Sequence, residues 1–304
     1  MISFSIIIPL YNKEKSVAGT INSVLSQSYG NFELIVVNDG STDNSLTVVQ
    51  SFQDSRIRII DKQNGGVCSA RNKGIEAAKY EYIAFLDADD MWDTNYLQEQ
   101  VKMIENYSDA AMWGMNWIER TKDEDVLLDT GLPSAFCGYV QNYWTLKHVS
   151  DLFFTSSVVI RKESFNAVGN FDERIRYSED LDMWYRIILN YPVVFNSKPM
   201  VVYSQESENR AMKKKVPLKA FLPYYVDKYE KYCDTNKDFS HFIHTFAAAN
   251  ILPYYFSNTD EKRDAKVAVK KLRYSDIHYK YSLLYKTPRF VGRIFLKLIE
   301  LRHR

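Results

Sequence analysis

The first ninety residues alternate short apolar runs with amphipathic stretches through tight polar turns, and this alternation restricts the fold more than any other feature. Residues 4–8 form an apolar run closed by Pro9, which reads as a buried strand. Residues 14–27 carry Val17, Ile21, Val24 and Leu25 at helical spacing. Residues 32–37 are a second strand running into Asn38-Asp39-Gly40-Ser41, a strong turn signal. A helix over 42–52, a strand over 56–60, a glycine turn at 63–66, a helix over 67–79 and a strand over 82–86 follow. Strands joined through helices by short loops predict an α/β fold, with a mostly parallel sheet covered by helices on both faces. Ligands of such sheets collect at the carboxyl ends of the strands. That singles out residues 9–12, 38–41, 64–66 and 87–90.

The middle of the chain is less regular. Strands are expected over 110–119, 156–160, 193–195 and 200–203. A helix over 178–190 should turn Leu181, Trp184, Ile187 and Ile188 inward. After about residue 204 the pattern is helical only, over 217–233, 239–256, 261–274 and 289–301. Charge changes at the same place: residues 1–204 carry 18 Lys/Arg against 27 Asp/Glu, and residues 205–304 carry 21 against 11. Two domains are therefore expected, 1–204 and a basic helical 205–304. The whole-chain net charge of +1 points to no nucleic-acid partner. Three scattered cysteines make neither a disulfide framework nor metal-site spacing, which favours a reducing, cytoplasmic setting. The N-terminus lacks a signal-peptide pattern. No apolar run approaches the roughly 18 residues that span a bilayer.

Asp87-Ala88-Asp89-Asp90 is the sharpest chemical feature. Strand alternation would put Asp87 and Asp89 on one side, where two carboxylates repel unless a cation lies nearby. Hard oxygen donors of this kind suit Mg²⁺ or Mn²⁺ shared with substrate phosphates. Helix capping by Asp90 or Asp93 explains one acid but not the pair. Asp39, at the end of the second strand, can accept from an imide N–H such as N3 of uracil, or simply form an Asx-turn before Gly40. Tyr11 can stack on a base or sit at a rim. In Asn64-Gly65-Gly66-Val67 the glycines let backbone approach a ligand, and Arg71 can reach a base, a phosphate or a helix-face acid. Glu179 and Asp180 suit the first turn of a helix, and Asp180 equally suits a general base. Neither a Walker A nor a Gly-x-Gly-x-x-Gly pattern is present.

Taken together, these stretches resemble the inverting family-2 glycosyltransferases with the GT-A fold. Ser-Ile-Ile-Ile-Pro-Leu-Tyr-Asn-Lys-Glu, Phe-Glu-Leu-Ile-Val-Val-Asn-Asp-Gly-Ser-Thr-Asp, Asn-Gly-Gly-Val, Ala-Arg-Asn-Lys-Gly, Tyr-Ile-Ala-Phe-Leu-Asp-Ala-Asp-Asp, Gly-Asn-Phe-Asp-Glu and Ser-Glu-Asp-Leu-Asp-Met-Trp occur in family order and cover residues 3 to about 204. The resemblance implies roles by position. Pro9, Tyr11, Asp39 and Arg71, with Glu14 as a weaker member, fall in the nucleoside-binding set. Asp87 falls on the ribose-binding acid, Asp89 on the ligand of the donor's Mn²⁺ or Mg²⁺, and Asp180 on the catalytic base. It also implies a nucleotide-sugar donor, UDP-linked by preference, and a glycan or lipid-linked sugar acceptor in bacterial surface polysaccharide synthesis.

Two departures from the family refine this. The Gln-x-x-Arg-Trp motif and transmembrane helices of processive synthases are missing, which favours single addition. The stretch Val-Tyr-Ser-Gln-Glu-Ser lacks the histidine that some relatives add to the metal. Residues 289–301 place Phe290, Val291, Ile294, Phe295, Leu298 and Leu301 on one face and Arg289, Arg293 and Lys297 on the other. Such a stretch suits peripheral contact with the inner face of the cell membrane, packing on the chain's own helices, or a homodimer. The competing classes are a sugar nucleotidyltransferase and a non-catalytic sugar-nucleotide or glycan-binding module. The first needs a basic glycine-rich loop after the first strand, where Pro-Leu-Tyr-Asn stands. The second has no need of both acidic motifs.

Overall fold

The computed structural model describes residues 1–147, 152–204, 216–257, 260–288 and 291–292. They fall into two compact units, one within Met1–Glu173 and Asp180–Lys213, the other within Arg174–Glu179 and Lys214–Arg304.

In the first unit the expected alternation is present. The order is β1 (Phe4–Leu10), α1 (Val17–Leu25), β2 (Phe32–Asp39), α2 (Ser45–Gln50), β3 (Ile57–Lys62), α3 (Val67–Ala77) and β4 (Tyr82–Phe85). Then come β5 (Met91–Trp92), α4 (Tyr96–Asn106), β6 (Met112–Arg120), β7 (Asp125–Leu127), β8 (Cys137–Tyr139), β9 (Val158–Arg161), α5 (Ser164–Val168), α6 (Glu179–Ile188) and β10 (Val193–Ser204), with Glu179 itself grouped with the second unit. One sheet runs β3-β2-β1-β4-β9-β6-β10-β5, with β7 on β6 and β8 on β10. The β1, β2, β3 and β4 pairings are parallel, and so is β6 with β10; β9 runs antiparallel between β4 and β6. This is the mostly parallel α/β sheet of the GT-A fold.

Strand period sorts the apolar side chains of β1. Phe4, Ile6, Ile8 and Leu10 join Val17, Ile21 and Val24 of α1 and Leu97, Val101 and Ile104 of α4 in one buried core. Ile7 faces the other way, against α3. A Cβ on Gly74 would overlap Ile7 Cγ2, so glycine is what lets α3 approach β1 this closely. The same period explains an opening. Leu86 N–H donates to the Ile7 carbonyl at 3.1 Å, so odd-numbered residues of β1 turn their polar groups to β4. The next such residue is Pro9, which has no N–H, and the β1–β4 register ends at Ile7 and Phe85. Beyond that point the strands part, and the chain after β4 is free to turn at the sheet's carboxyl edge.

The structure corrects several expectations. The strands expected at 193–195 and 200–203 are one, β10, with bulges between Asn196 and Val201 that absorb Pro199. On α6 the buried side chains are Asp182, Met183, Trp184, Tyr185 and Ile187, whereas Leu181 and Ile188 are half-buried. The buried acid Asp182 is held by Arg186 at 2.9 Å, one turn later.

In the second unit the helix expected over 217–233 is instead 3₁₀ turns over Leu218–Ala220 and Leu222–Tyr229, then one α turn, α7 (Glu230–Cys233). Pro223 cannot donate to the Lys219 carbonyl, and that carbonyl accepts from the Tyr225 hydroxyl at 2.7 Å. The helices α8 (Lys237–Phe256), α9 (Glu261–Val269) and α10 (Tyr279–Lys286) follow. Asn236 caps α8 by accepting from Phe239 N–H at 2.9 Å. Helix α9 stops short of the expected residue 274, and α10 lacked a clear apolar period. The histidine-free stretch at 205–207 and, apart from Val291 and Gly292, the amphipathic stretch over 289–301 lie outside the described residues. Among the described residues no helix is long and apolar enough to cross a membrane.

Candidate active site

The loops after β1 and β2 are stitched into one platform. Asn12 takes the left-handed conformation, φ 52°, and is held there from both ends. Its N–H donates to Ser41 Oγ at 3.1 Å, and its Oδ1 accepts from Thr42 N–H at 2.8 Å. Lys13 N–H donates to Ser45 Oγ at 2.7 Å and Glu14 N–H to Asp43 Oδ2 at 3.2 Å. Glu14 returns the contact by accepting from Asn44 N–H at 2.9 Å. Its carboxylate is thus engaged with protein amides. Tyr11, between Leu10 and this platform, is 45% exposed, which leaves its ring open to a ligand.

Asp39 is buried and anchors the glycine turn before α3. It accepts from Gly65 N–H at 2.9 Å, from Gly66 N–H at 2.8 Å and from Lys62 Nζ at 2.6 Å. The Asx-type bond expected of Asp39 is made by its neighbour: Asn38 Oδ1 accepts from Ser41 N–H at 3.3 Å. Asp39 therefore ties β2 to the Gly65-Gly66 turn, where Gly66 sits at φ 92°.

The acids after β4 do not continue the strand. Asp90 N–H donates to the Asp87 carbonyl at 3.0 Å, closing a turn, so strand alternation does not govern them. Each carboxylate has its own partner. Asp87 Oδ1 accepts from Arg71 Nη2 at 2.9 Å, and Asp89 Oδ2 from Lys13 Nζ at 2.7 Å. Asp90 is buried, accepts from Ser156 Oγ at 2.5 Å and from Ser204 N–H at 3.3 Å, and caps no helix. Burial, then the charges of Asp89 and Asp87, push its carboxyl well above the usual range. Asp93 serves the helix start instead, accepting from Asn95 N–H at 2.9 Å.

Arg71 joins two motifs that are far apart in sequence. Asn72, beside it on α3, clamps the Phe171 backbone through its carboxamide at 3.0 and 2.9 Å. The Phe171 ring then lies against the guanidinium, 5.4 Å from its centroid. Asp180 lies within the field of the same arginine. Burial raises the Asp180 carboxyl above the ordinary aspartate range, the Arg71 charge opposes that rise, and Asp87 adds to it. Thr155 Oγ1 donates to Asp180 Oδ2 at 3.3 Å. Of the residues singled out from sequence, Arg71 and Asp87 thus pair directly, and the charges of both act on Asp180. Asp89 faces Lys13, and Tyr11, Glu14 and Asp39 belong to the platform and the glycine turn.

Sequence reasoning passed over Lys13, Thr155, Ser156 and Asn72. Only the tertiary fold brings hydroxyls at 155 and 156 to carboxylates at 180 and 90, and no spacing rule announces such a contact.

The donor set can be tested against a divalent cation. Among the described residues no group of three or more His, Cys, Asp or Glu could hold a metal alone. The side chains of Asp87 and Asp89 are 29% and 16% exposed, and both offer hard oxygens. One or two carboxylates completed by substrate phosphates is the usual magnesium arrangement. The residues fit a cation shared with a diphosphate and do not fit a self-sufficient metal centre.

Residues 5–169, just over half of the 304-residue chain, match the family described as glycosyl transferase family 2. The chain belongs to that family. An uncharacterized glycosyltransferase of Rickettsia felis is 32% identical over 216 residues, covering 69% of this chain and 35% of the relative. This chain thus spans about a third of the length of that relative. The UDP-Glc:alpha-D-GlcNAc-diphosphoundecaprenol beta-1,3-glucosyltransferase WfgD of Escherichia coli is 41% identical over 111 residues, 36% of this chain and 44% of WfgD. The crystal structure of S. aureus TarS 1–349 in complex with UDP-GlcNAc superposes with a TM-score of 0.63 at 20% identity, over 89% of this chain and 71% of that one.

Proposed function

We propose that this chain transfers one sugar from a nucleoside diphosphate sugar, UDP-linked by preference, to a hydroxyl of a glycan or lipid-linked acceptor, inverting the anomeric centre. The observation that carries this reading is the arrangement at the carboxyl edge of the sheet: Arg71 pairs with Asp87 and opposes the burial that keeps Asp180 basic. Tyr11 stacks on the base, beside Pro9, where the β1 and β4 strands part. Asp39 receives the imide N–H while fixing the Gly65-Gly66 turn, and Asp87 receives the ribose hydroxyls. Asp89 is the residue that would hold a divalent cation, which offsets charge on the departing diphosphate.

The chain's own part in the reaction is proton transfer and alignment. Asp180 accepts the proton of the attacking hydroxyl, and its raised pKa suits a base better than an ordinary aspartate. Attack opposite to the leaving group inverts the anomeric carbon in one step and needs no protein nucleophile. The UDP preference is supported by WfgD, whose name specifies UDP-Glc and a diphosphoundecaprenol-linked acceptor. Peripheral residence on the inner membrane face through residues 289–301 follows from the same acceptor class.

The experiment is incubation of the purified chain with UDP-sugars, Mn²⁺ and a diphospholipid-linked sugar acceptor. Transfer that EDTA stops, with an inverted product linkage seen by NMR, supports the reading. Pyrophosphate-dependent release of UTP would make it a nucleotidyltransferase, and tight binding without turnover a binding module.

A further inference from the structure

The turn before β9, Thr155-Ser156-Ser157, has all three residues between 0% and 2% exposed. A run of three hydroxyls this deeply buried needs partners, because an unpaired buried hydroxyl is costly. Each has a different one. Ser157 Oγ closes on its own turn, donating to the Phe154 carbonyl at 2.9 Å. Ser156 Oγ donates to Asp90 Oδ2 at 2.5 Å and accepts from Asp87 N–H at 3.1 Å, so it grips the acidic turn at both ends. Its carbonyl accepts from Trp92 Nε1 at 2.6 Å, on the far side of the same turn. Thr155 Oγ1 donates to Asp180 Oδ2 at 3.3 Å. Asp180 Oδ1 accepts from Leu181 N–H at 2.8 Å, so both of its oxygens are oriented.

We propose that Thr155 and Ser156 are positioning residues that set the distance between the donor-binding acids and the base. Two adjacent residues share one short stretch of backbone, so Asp180 and the Asp87–Asp90 turn cannot shift independently while both hydroxyls are bonded. This inference rests on Asp180 being the base. It adds a division of labour that the base assignment alone does not contain: Thr155 acts on the proton-transfer step, and Ser156 acts on the donor and its cation. Thr155 donates to the charged carboxylate and favours that form, alongside Arg71 and against Asp87.

The test uses the full chain with Thr155→Val, Thr155→Ser, Ser156→Ala and Asp180→Asn, each checked for an unchanged melting profile. Thr155→Val should lower kcat by about ten-fold, leave donor KM within about two-fold, and move the acid limb of the pH profile upward. Thr155→Ser should restore both. Ser156→Ala should weaken Mn²⁺-dependent UDP binding by about ten-fold, by calorimetry, without moving the acid limb. If Ser156→Ala fails to fold, Ser156→Cys, close in volume, takes its place. The proposal falls if the two single variants change the same parameters alike. It also falls if Thr155→Val leaves kcat and the acid limb in place while Asp180→Asn is inactive. Turnover retained in Asp180→Asn would instead remove the base assignment itself.

Discussion

Arg71 and Asp87 form an ion pair in which the cation is the buried member: the guanidinium side chain is 3% exposed and the carboxylate 29%. Arg71 is thus held within the protein by its acid partner, and Asp87 is the more exposed of the two. A buried cation needs its counter-charge, so Asp87 also keeps Arg71 in place.

Removing the Arg71 charge should shift the pH profile in a defined direction. The Arg71 charge lowers the Asp180 pKa and Asp87 raises it. In Arg71→Met only the Leu181 N–H and the Thr155 hydroxyl are left to oppose burial and the Asp87 charge, so the Asp180 pKa climbs. A base works deprotonated, so the acid limb of kcat/KM should move to higher pH. Arg71→Lys should fall between Arg71→Met and the wild type. An acid limb that stays in place in Arg71→Met would separate Arg71 from Asp180.

Asp180→Asn keeps the shape of the side chain and removes its basicity. Transfer should fall by about 10²–10⁴-fold, the usual contribution of a general base. UDP affinity, measured by calorimetry, should stay within a few-fold of the parent.

Cation binding should depend on nucleotide. With Asp89 on Lys13 and Asp87 on Arg71, each acid already has a positive partner. Mn²⁺ affinity, followed by the paramagnetic signal of the free ion, should rise by about ten-fold or more when UDP is added. Asp89→Asn should abolish that rise. Equal affinity with and without UDP would count against a shared cation.

Tyr11→Ala should raise the Kd for UDP by about five- to ten-fold, because ring stacking is worth about 1 kcal/mol. Tyr11→Phe keeps the ring and should bind UDP as the parent does.

Gly74→Ala tests the packing of α3 on β1. The added methyl meets Ile7 Cγ2, with Ile7 Cδ1 and Cγ1 at 3.0 Å. Overpacking of this kind costs about 1–3 kcal/mol. The melting temperature should fall by about 2–4 °C per kcal/mol.

Much of this architecture was legible in the residues themselves. Period and turn signals located β1 to β4 and α1 to α3 because each strand there is apolar and each loop is short and polar. The ends of the helices were less legible: α1 begins at Val17 rather than at residue 14, after a turn where the amides of Lys13 and Glu14 bond to Ser45 and Asp43. The 217–233 segment misled for a local reason, Pro223, whose effect depends on where in a helix it falls. The acids and Arg71 stood out by type and position. What residue types could not convey was pairing: that Asp39 would hold two glycine amides, that Asp90 would be buried against a serine 66 positions away, or that a lysine would face Asp89. Those contacts are products of the tertiary fold.

The stitching of Asn12, Lys13 and Glu14 to Ser41, Thr42, Asp43, Asn44 and Ser45 has a thermodynamic corollary. A ligand that lands on this surface finds it already rigid, so little conformational entropy is surrendered there on docking. Nucleotide association should accordingly be fast and enthalpy-led. Any slow rearrangement during turnover belongs to parts of the chain that lack such cross-ties.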